Sequence, residues 1–199
     1  MFGRTRAGTP ADLLVLGLGN PDAEYGGTRH NLGAQCVQLL AERHGGRLKM
    51  GKEKALTAEV RIGSSLVALA FPQTYMNESG QAARLLVRRY GIEDLADVVA
   101  IHDELDLPSG RVKLKFGGGT AGNNGLKSLQ GHLNSPDFGR IRIGIGRPNG
   151  SGQAIEYVLK RPGKAEKEVL DVAVQLAADA VEAMLVDGFE RTMNRLNTG

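Results

Sequence analysis

Apolar residues along the chain recur with two periods, and these periods predict an alternation of strands and helices. Unbroken apolar runs at residues 13–16 and 98–101 predict strands that are buried on both faces. Alternation of apolar and charged residues at 112–116 predicts a strand with one exposed face. The predicted strands are residues 13–16, 55–62, 65–71, 98–101, 112–116 and 138–145.

Apolar residues spaced three and four positions apart predict the helices. The first helix begins after Asn31, whose side chain can cap it, and carries Leu32, Cys36, Leu39 and Leu40 on one side. The other predicted helices are residues 79–90, 124–132, 166–186 and 188–196. Residues 117–125 and 147–151 are rich in glycine or turn-forming residues and are predicted to be loops.

Strands and helices are interspersed along the whole chain, without internal repeats or an evident linker. We therefore predict a single α/β domain over residues 11–199, in which a mixed, twisted β-sheet is flanked by α-helices. Residues 1–10 carry Arg4 and Arg6 but no apolar core, so they are expected to be a flexible extension rather than a secretory signal.

Composition restricts the environment of the protein. No apolar run reaches the length needed to cross a membrane, and the single cysteine, Cys36, excludes an internal disulfide. We therefore expect a cytoplasmic protein without a membrane partner. A net charge of +3 over 199 residues permits a polyanionic partner but does not require one.

The polar stretch between the first predicted strand and helix is the first candidate functional segment. It places Asn20 and His30 beyond the carboxyl end of a strand, where open α/β sheets bind ligands. Gly17 and Gly19 could open a dinucleotide fingerprint, but Asp22 occupies the third glycine position. His30 could also be a structural cap, so the segment alone does not establish a site.

A second segment strengthens this interpretation. Residues 102–108, His-Asp-Glu-Leu-Asp-Leu-Pro, place four ionisable side chains after a predicted buried strand. The chain lacks a Gly-x-Ser-x-Gly elbow, a P-loop ending and histidines at metal-ligand spacing, so we expect neither metal nor cofactor. A histidine that activates water, oriented by a carboxylate, is the remaining hydrolytic chemistry. The residues alone leave open whether the base is His30 or His102 and whether its partner is Asp103, Glu104 or Asp106.

Seven short motifs occur in an order that resembles the bacterial-type peptidyl-tRNA hydrolases. They are Gly17-Leu-Gly-Asn-Pro-x-x-x-Tyr25, Thr28-Arg-His-Asn31, Tyr75-Met-Asn-x-Ser-Gly80, His102-Asp-Glu-Leu-Asp-Leu-Pro108, Gly117-Gly-Gly, Asn124-Gly-Leu-Lys127 and Arg142-Ile-Gly-Ile-Gly-Arg147. The resemblance implies hydrolysis of the ester bond of peptidyl-tRNA, which releases peptide and free tRNA and recycles tRNA after ribosome drop-off. It implies no cofactor, peptidyl-tRNA as the partner, and a monomer.

The same resemblance assigns roles to individual residues. It implies that His30 is the general base, that Asp103 orients it, and that Asn20 senses the acylated amino group, its side-chain carbonyl accepting from the amide N–H. Other substrate contacts implied by the match are Tyr25, Tyr75 and Met76 along the groove, and Asn77 and Asn124 at the peptide and tRNA ends. Exposed cations on alternating strands would contact tRNA phosphates, namely Lys113, Lys115, Arg140 and Arg142, with Lys127 on the helix that follows.

The chain departs from the family pattern at two positions. Asn123 stands where many bacterial members have histidine, so this side chain can form hydrogen bonds but cannot titrate. Asp22 stands where glycine is usual after Pro21. A catalytically inactive RNA-binding relative is the alternative from another class, and the presence of both His30 and Asp103 favours the enzyme.

Overall fold

The computed structural model describes residues 10–150 and 152–199. This part of the chain forms one mixed sheet of seven strands, in the spatial order β2-β3-β4-β1-β5-β7-β6. The strands are β1 (Leu13–Gly17), β2 (Lys49–Met50), β3 (Ala55–Ile62), β4 (Ser65–Pro72), β5 (Val98–Glu104), β6 (Val112–Phe116) and β7 (Gly139–Gly144). This confirms the predicted α/β class with a mixed sheet. Apart from Pro10, the segment predicted to be a flexible extension lies outside the described residues.

Parallel strands form the centre of the sheet. β1 pairs in parallel with β4 and β5, and β5 pairs in parallel with β7, whereas the hairpin β3–β4 and the pair β6–β7 are antiparallel. The carboxyl ends of β1, β4, β5 and β7 therefore lie at one edge of the sheet, which is where α/β proteins bind ligands.

Helices cover both faces of the sheet. They are α1 (Leu32–Arg43), α2 (Ser79–Arg89), α3 (Asn124–Leu133), α4 (Ala154–Val158), α5 (Lys164–Asp187) and α6 (Phe189–Thr198). One core lies between the sheet and α1 and α5, and a second lies between the sheet and α2 and α3. No helix in the described ranges is long and apolar enough to cross a membrane.

β5 is longer than the apolar run predicted. It continues through His102 and Asp103 to Glu104, and all three side chains are buried. Because successive residues of a strand point to opposite faces, Asp103 lies on the α1 face with Ile101, whereas His102 and Glu104 lie on the α3 face. The first three residues of the polar segment are thus part of the strand, whereas Asp106 lies in the turn after it.

Glycines allow α1 to pack directly on the strands. A Cβ atom on Gly33 would overlap the carbonyl oxygen of Ile101 and lie 2.7 Å from the backbone nitrogen of Leu18. A Cβ atom on Gly17 would overlap the carbonyl oxygen of Gly33. This close approach brings the turn that precedes α1, with His30, against the end of β5.

Candidate active site

A groove of about 380 Å³ opens at the carboxyl edge of the sheet. It is bounded by the β1–α1 connection, the start of α2, the end of β5, the loop before α3, and α4. Eight of the predicted site residues line it, namely Asn20, Tyr25, His30, Tyr75, Met76, Asn77, Asp103 and Asn124. The structure thus brings together residues separated by about a hundred positions in sequence.

His30 and Asp103 form a hydrogen-bonded pair on one side of the groove. Nδ1 of His30 lies 3.0 Å from each carboxylate oxygen of Asp103. A carboxylate can only accept, so Nδ1 carries the proton and Nε2 keeps its lone pair. The side chains are 12% and 3% exposed, which leaves the imidazole in reach of a groove ligand and the carboxylate covered.

The carboxylate of Asp103 changes the pKa of the His30 imidazole. Burial alone would lower the pKa of His30, but the negative charge of Asp103 and its hydrogen bond outweigh burial and raise the pKa above its ordinary value. Asp103 therefore favours the imidazolium that forms when His30 takes a proton.

Geometry separates the alternatives that the sequence left open. His102 is 1% exposed, lies outside this groove, and has its Nδ1 2.8 Å from the carbonyl oxygen of Asp103. Burial lowers the pKa of His102. Glu104 is paired with Arg142 at 3.2 Å, and Asp106 is paired with the exposed Arg147. Among the three carboxylates, only Asp103 contacts a histidine side chain in the described structure.

Asn31 has a different role from the predicted cap. Its side chain makes no capping bond to α1. Instead, its amide oxygen accepts from the backbone N–H of Asn20, and its amide nitrogen donates to the carbonyl oxygen of Asn20, both at 2.9 Å. Asn31 thus fixes the backbone of the β1–α1 connection where Asn20 enters the groove.

Asn20 offers the groove the nitrogen of its side-chain amide, whereas the expectation was that its oxygen would contact the substrate. Its Oδ1 accepts the backbone N–H of Met76 at 2.8 Å, and a backbone N–H can only donate, so the amide orientation is determined. Nδ2 has no acceptor among the described residues, and Asn20 lines the groove. The group available to a ligand is therefore a hydrogen-bond donor.

Other polar residues along the groove are accessible. Asn77 and Asn124 are exposed, and Tyr75 is 57% exposed. Asn123, at the position of the usual family histidine, caps α3 by accepting the backbone N–H of Leu126 at 3.0 Å. Asn123 thus fixes the start of α3 beside Asn124.

The predicted cations of β6 and β7 lie beside the groove rather than in it. Lys115 and Arg142 line a neighbouring cavity of about 100 Å³, and Lys113 is directly opposite Arg142 in the strand register. The prediction that Arg140 is exposed is wrong, since Arg140 is 1% exposed. It donates to the carbonyl oxygens of Gly118, Gly119 and Pro136 and so supports the glycine-rich loop.

Sequence reasoning missed one wall of the groove. Ile155, Val158 and Leu159, from α4 and the residue after it, line the groove opposite the polar groups. Their spacing of three and four positions was the available signal, but five helical residues are too few for periodicity to be convincing. Across residues 10–150 and 152–199, no group of three or more His, Cys, Asp or Glu side chains could hold a metal ion.

Comparison with known proteins identifies the family. The sequence model of the peptidyl-tRNA hydrolase family matches residues 14–199. A peptidyl-tRNA hydrolase of Frankia alni is 46% identical over 182 residues, 92% of each chain, and one of Serratia proteamaculans is 43% identical over 93% of this chain and 95% of its own. The crystal structure of peptidyl-tRNA hydrolase from Acinetobacter baumannii superimposes with a TM-score of 0.88, at 36% identity, covering 94% of this chain and 96% of that one. The chain therefore belongs to the peptidyl-tRNA hydrolase family.

Proposed function

We propose that this chain hydrolyses the ester that joins a peptide to tRNA, with His30 as the general base. Membership of the family supports the reaction. The observation that supports the mechanism is the His30–Asp103 pair, whose free imidazole nitrogen faces a groove large enough for part of a peptide. A peptidyl ester placed in this groove has its carbonyl near the only histidine that lines the described groove.

The pair can carry both proton transfers of ester hydrolysis. Nε2 of His30 takes a proton from water while the water oxygen attacks the ester carbonyl, and Asp103 stabilises the resulting imidazolium. When the tetrahedral intermediate collapses, the imidazolium returns the proton to the departing ribose oxygen. One water is consumed, a carboxylic acid and a free hydroxyl are formed, and His30 is regenerated.

Amide side chains around the pair are proposed to hold the substrate. Nδ2 of Asn20 can donate to a carbonyl of the N-acylated residue, and the exposed amides of Asn77 and Asn124 can both donate and accept. Tyr25, Tyr75 and Met76 supply apolar contact along the same groove. We propose that these six residues bind the peptide end and the adjoining end of the tRNA.

Lys113 and Lys115 of β6 and Arg142 of β7 are proposed to bind tRNA phosphates. Lys113 faces Arg142 and Lys115 faces Arg140 across the strand pair, although like charges directly opposite destabilise a sheet. Within the described residues, Glu104 forms an ion pair with Arg142, whereas no carboxylate forms one with Lys113 or Lys115. A surface that tolerates this repulsion is well suited to a polyanion.

Replacing both lysines should weaken binding of tRNA substrates. Lys113→Ala with Lys115→Ala should raise KM and reduce the slope of log KM against log salt by about one to two, since each lost phosphate contact removes close to one unit. A short acylated ester without the tRNA body should be hydrolysed as before. The control is Lys49→Ala with Lys52→Ala, which removes the same charge near β2 at the other edge of the sheet. An unchanged salt slope in the first variant would exclude these lysines from the tRNA surface.

The reaction is tested by incubating the protein with N-acetyl-leucyl-tRNA and with leucyl-tRNA. We expect free tRNA and N-acetyl-leucine in equal amounts from the first and much slower release from the second, because their α-nitrogens differ. Binding of the first substrate without release above the spontaneous rate would support an inactive RNA-binding relative instead.

Three further expectations belong to this proposal. We propose that the chain acts in the cytoplasm, where its tRNA substrate is used, as a monomer, with residues 11–199 folding as one domain. Sedimentation analysis gives the mass in solution, and a dimer would contradict the proposed monomer.

A further inference from the structure

The apolar wall formed by α4 is too short to be stable alone. α4 comprises only Ala154–Val158, and isolated helices of this length are unstable in water. Its residue Ile155 is 73% exposed, whereas Val158 is buried in the core that lies between the sheet and α1 and α5. Packing of Val158 therefore holds one side of the helix, and further contacts from elsewhere in the chain hold its carboxyl end.

Arg29 supplies polar contacts at the carboxyl end of α4. Its Nη1 donates to the carbonyl oxygens of Tyr157 at 3.1 Å and Lys160 at 3.2 Å, at the carboxyl end of α4. The guanidinium carbon lies 4.0 Å from the centre of the Tyr157 ring, a cation–π geometry. The hydroxyl of Tyr157 in turn donates to the carbonyl oxygen of Ile145 at 2.6 Å. A cation that caps the last carbonyls of a helix also complements its dipole.

Glu166 fixes the other side of the guanidinium. Nε and Nη2 of Arg29 contact the two carboxylate oxygens of Glu166 at 2.9 and 2.6 Å. Arg29 is 7% exposed, and this bidentate pairing raises its pKa. A planar guanidinium can make all of these contacts at once, and a lysine ammonium cannot.

We propose that Arg29 is a positioning residue that holds α4 as the apolar wall of the groove and thereby determines affinity for the side chain of the ester-linked residue. Arg29 does not line the groove itself, so it acts through Ile155, Val158 and Leu159. The kinetic effect of this role rests on the proposed hydrolysis, whereas the contact between Arg29 and α4 does not depend on it.

Two substitutions disturb this arrangement from opposite sides. Arg29→Lys keeps the positive charge but loses the planar guanidinium that pairs with both carboxylate oxygens of Glu166. Glu166→Gln removes the negative charge of that pair at a residue distant from His30 in sequence. For both we expect KM for N-acetyl-leucyl-tRNA to rise about tenfold, with kcat and its pH midpoint nearly unchanged. KM for N-acetyl-glycyl-tRNA should change less, because glycine has no side chain to contact the wall.

A matched control and a second measurement separate this role from general destabilisation. Arg89 also binds carboxylates, those of Glu53 and Glu59, and its guanidinium carbon lies 5.0 Å from the ring centre of Tyr90, but it does not line the groove. Arg89→Lys should therefore leave both KM values unchanged. Hydrogen exchange at the backbone amides of residues 157–160 should accelerate in the Arg29 and Glu166 variants and not in the Arg89 variant.

The outcomes are distinguishable. Wild-type exchange rates in α4 together with an unchanged KM would overturn the positioning role. A fall in kcat with a shifted pH midpoint and unchanged KM would show that Arg29 acts on His30 instead, which also overturns it. If the wild-type protein hydrolyses neither ester, the proposed function fails, and the exchange measurement alone decides whether Arg29 holds α4.

Discussion

We expect His30→Ala to lower kcat for N-acetyl-leucyl-tRNA by about 10²–10⁴-fold, the usual contribution of a positioned general base. The imidazole is the group that the groove offers for activating water, and the methyl side chain of alanine cannot take a proton. The fold should persist with a lower thermal midpoint, because loss of the imidazole leaves the buried Asp103 carboxylate without its partner. Circular dichroism and the thermal midpoint check the fold, and single-turnover release of tRNA gives the rate.

His44→Ala is the matched control, since His44 also pairs with a carboxylate, Glu182 at 2.9 Å, but does not line the groove. It should retain wild-type kcat. A His30→Ala protein that is folded and retains more than about a hundredth of the wild-type rate would assign the base to the wrong residue.

The pH profile tests the same pair. A general base acts as the neutral imidazole, so kcat/KM should fall as pH decreases through the pKa of His30. Burial lowers that pKa, but Asp103 raises it by more, so the fall should begin above the ordinary histidine value of about 6.5. Asp103→Asn removes the negative charge and leaves burial with at most a neutral hydrogen bond to Nδ1, so the residual activity should fall at a lower pH than in the wild type.

The sequence predicted the central elements because their periodicity is strong. The strands and the long helices lie in cores on both sides of the sheet, where burial enforces the pattern. α4 was missed because five residues are too few for convincing periodicity, and part of what holds it is Arg29, more than a hundred residues away in sequence. Local periodicity contains no information about such a contact.

The candidate site shows the same limit. Residue types and motif order identified the polar groove residues, but they could not choose between neighbouring ionisable groups. That choice depends on β5 continuing to Glu104, which places His102 and Asp103 on opposite faces of the sheet. Likewise, Arg140 and Arg142 share one face of β7, yet only Arg140 is buried and donates to the glycine-rich loop, which alternation along a strand cannot predict.

The hydrogen bond between Met76 and Asn20 makes a sharp test of substrate discrimination possible. An N-acylated residue offers a carbonyl that can accept from Nδ2 of Asn20, whereas free aminoacyl-tRNA usually carries an ammonium, which can only donate. We therefore expect the wild-type groove to favour the acylated substrate over the cation. The cost of desolvating the ammonium adds to the difference in binding free energy between the two substrates.

Asn20→Asp should weaken this preference with little change to the fold. One carboxylate oxygen can still accept the N–H of Met76, while the other replaces the donor that faces the groove. The acylated substrate loses a hydrogen bond and the ammonium gains a charge-assisted one, together about 3 kcal/mol. The ratio of kcat/KM for N-acetyl-leucyl-tRNA to that for leucyl-tRNA should therefore fall by about 100-fold.

Asn20→Ala is the comparison that separates recognition from structure. It leaves the N–H of Met76 without its acceptor, so it should lower the thermal midpoint and slow hydrolysis of both substrates. Asn20→Asp should keep the thermal midpoint and change the ratio. If the ratio in Asn20→Asp equals that of the wild type, Asn20 serves only to join the β1–α1 connection to the start of α2, and discrimination depends on other donors in the groove.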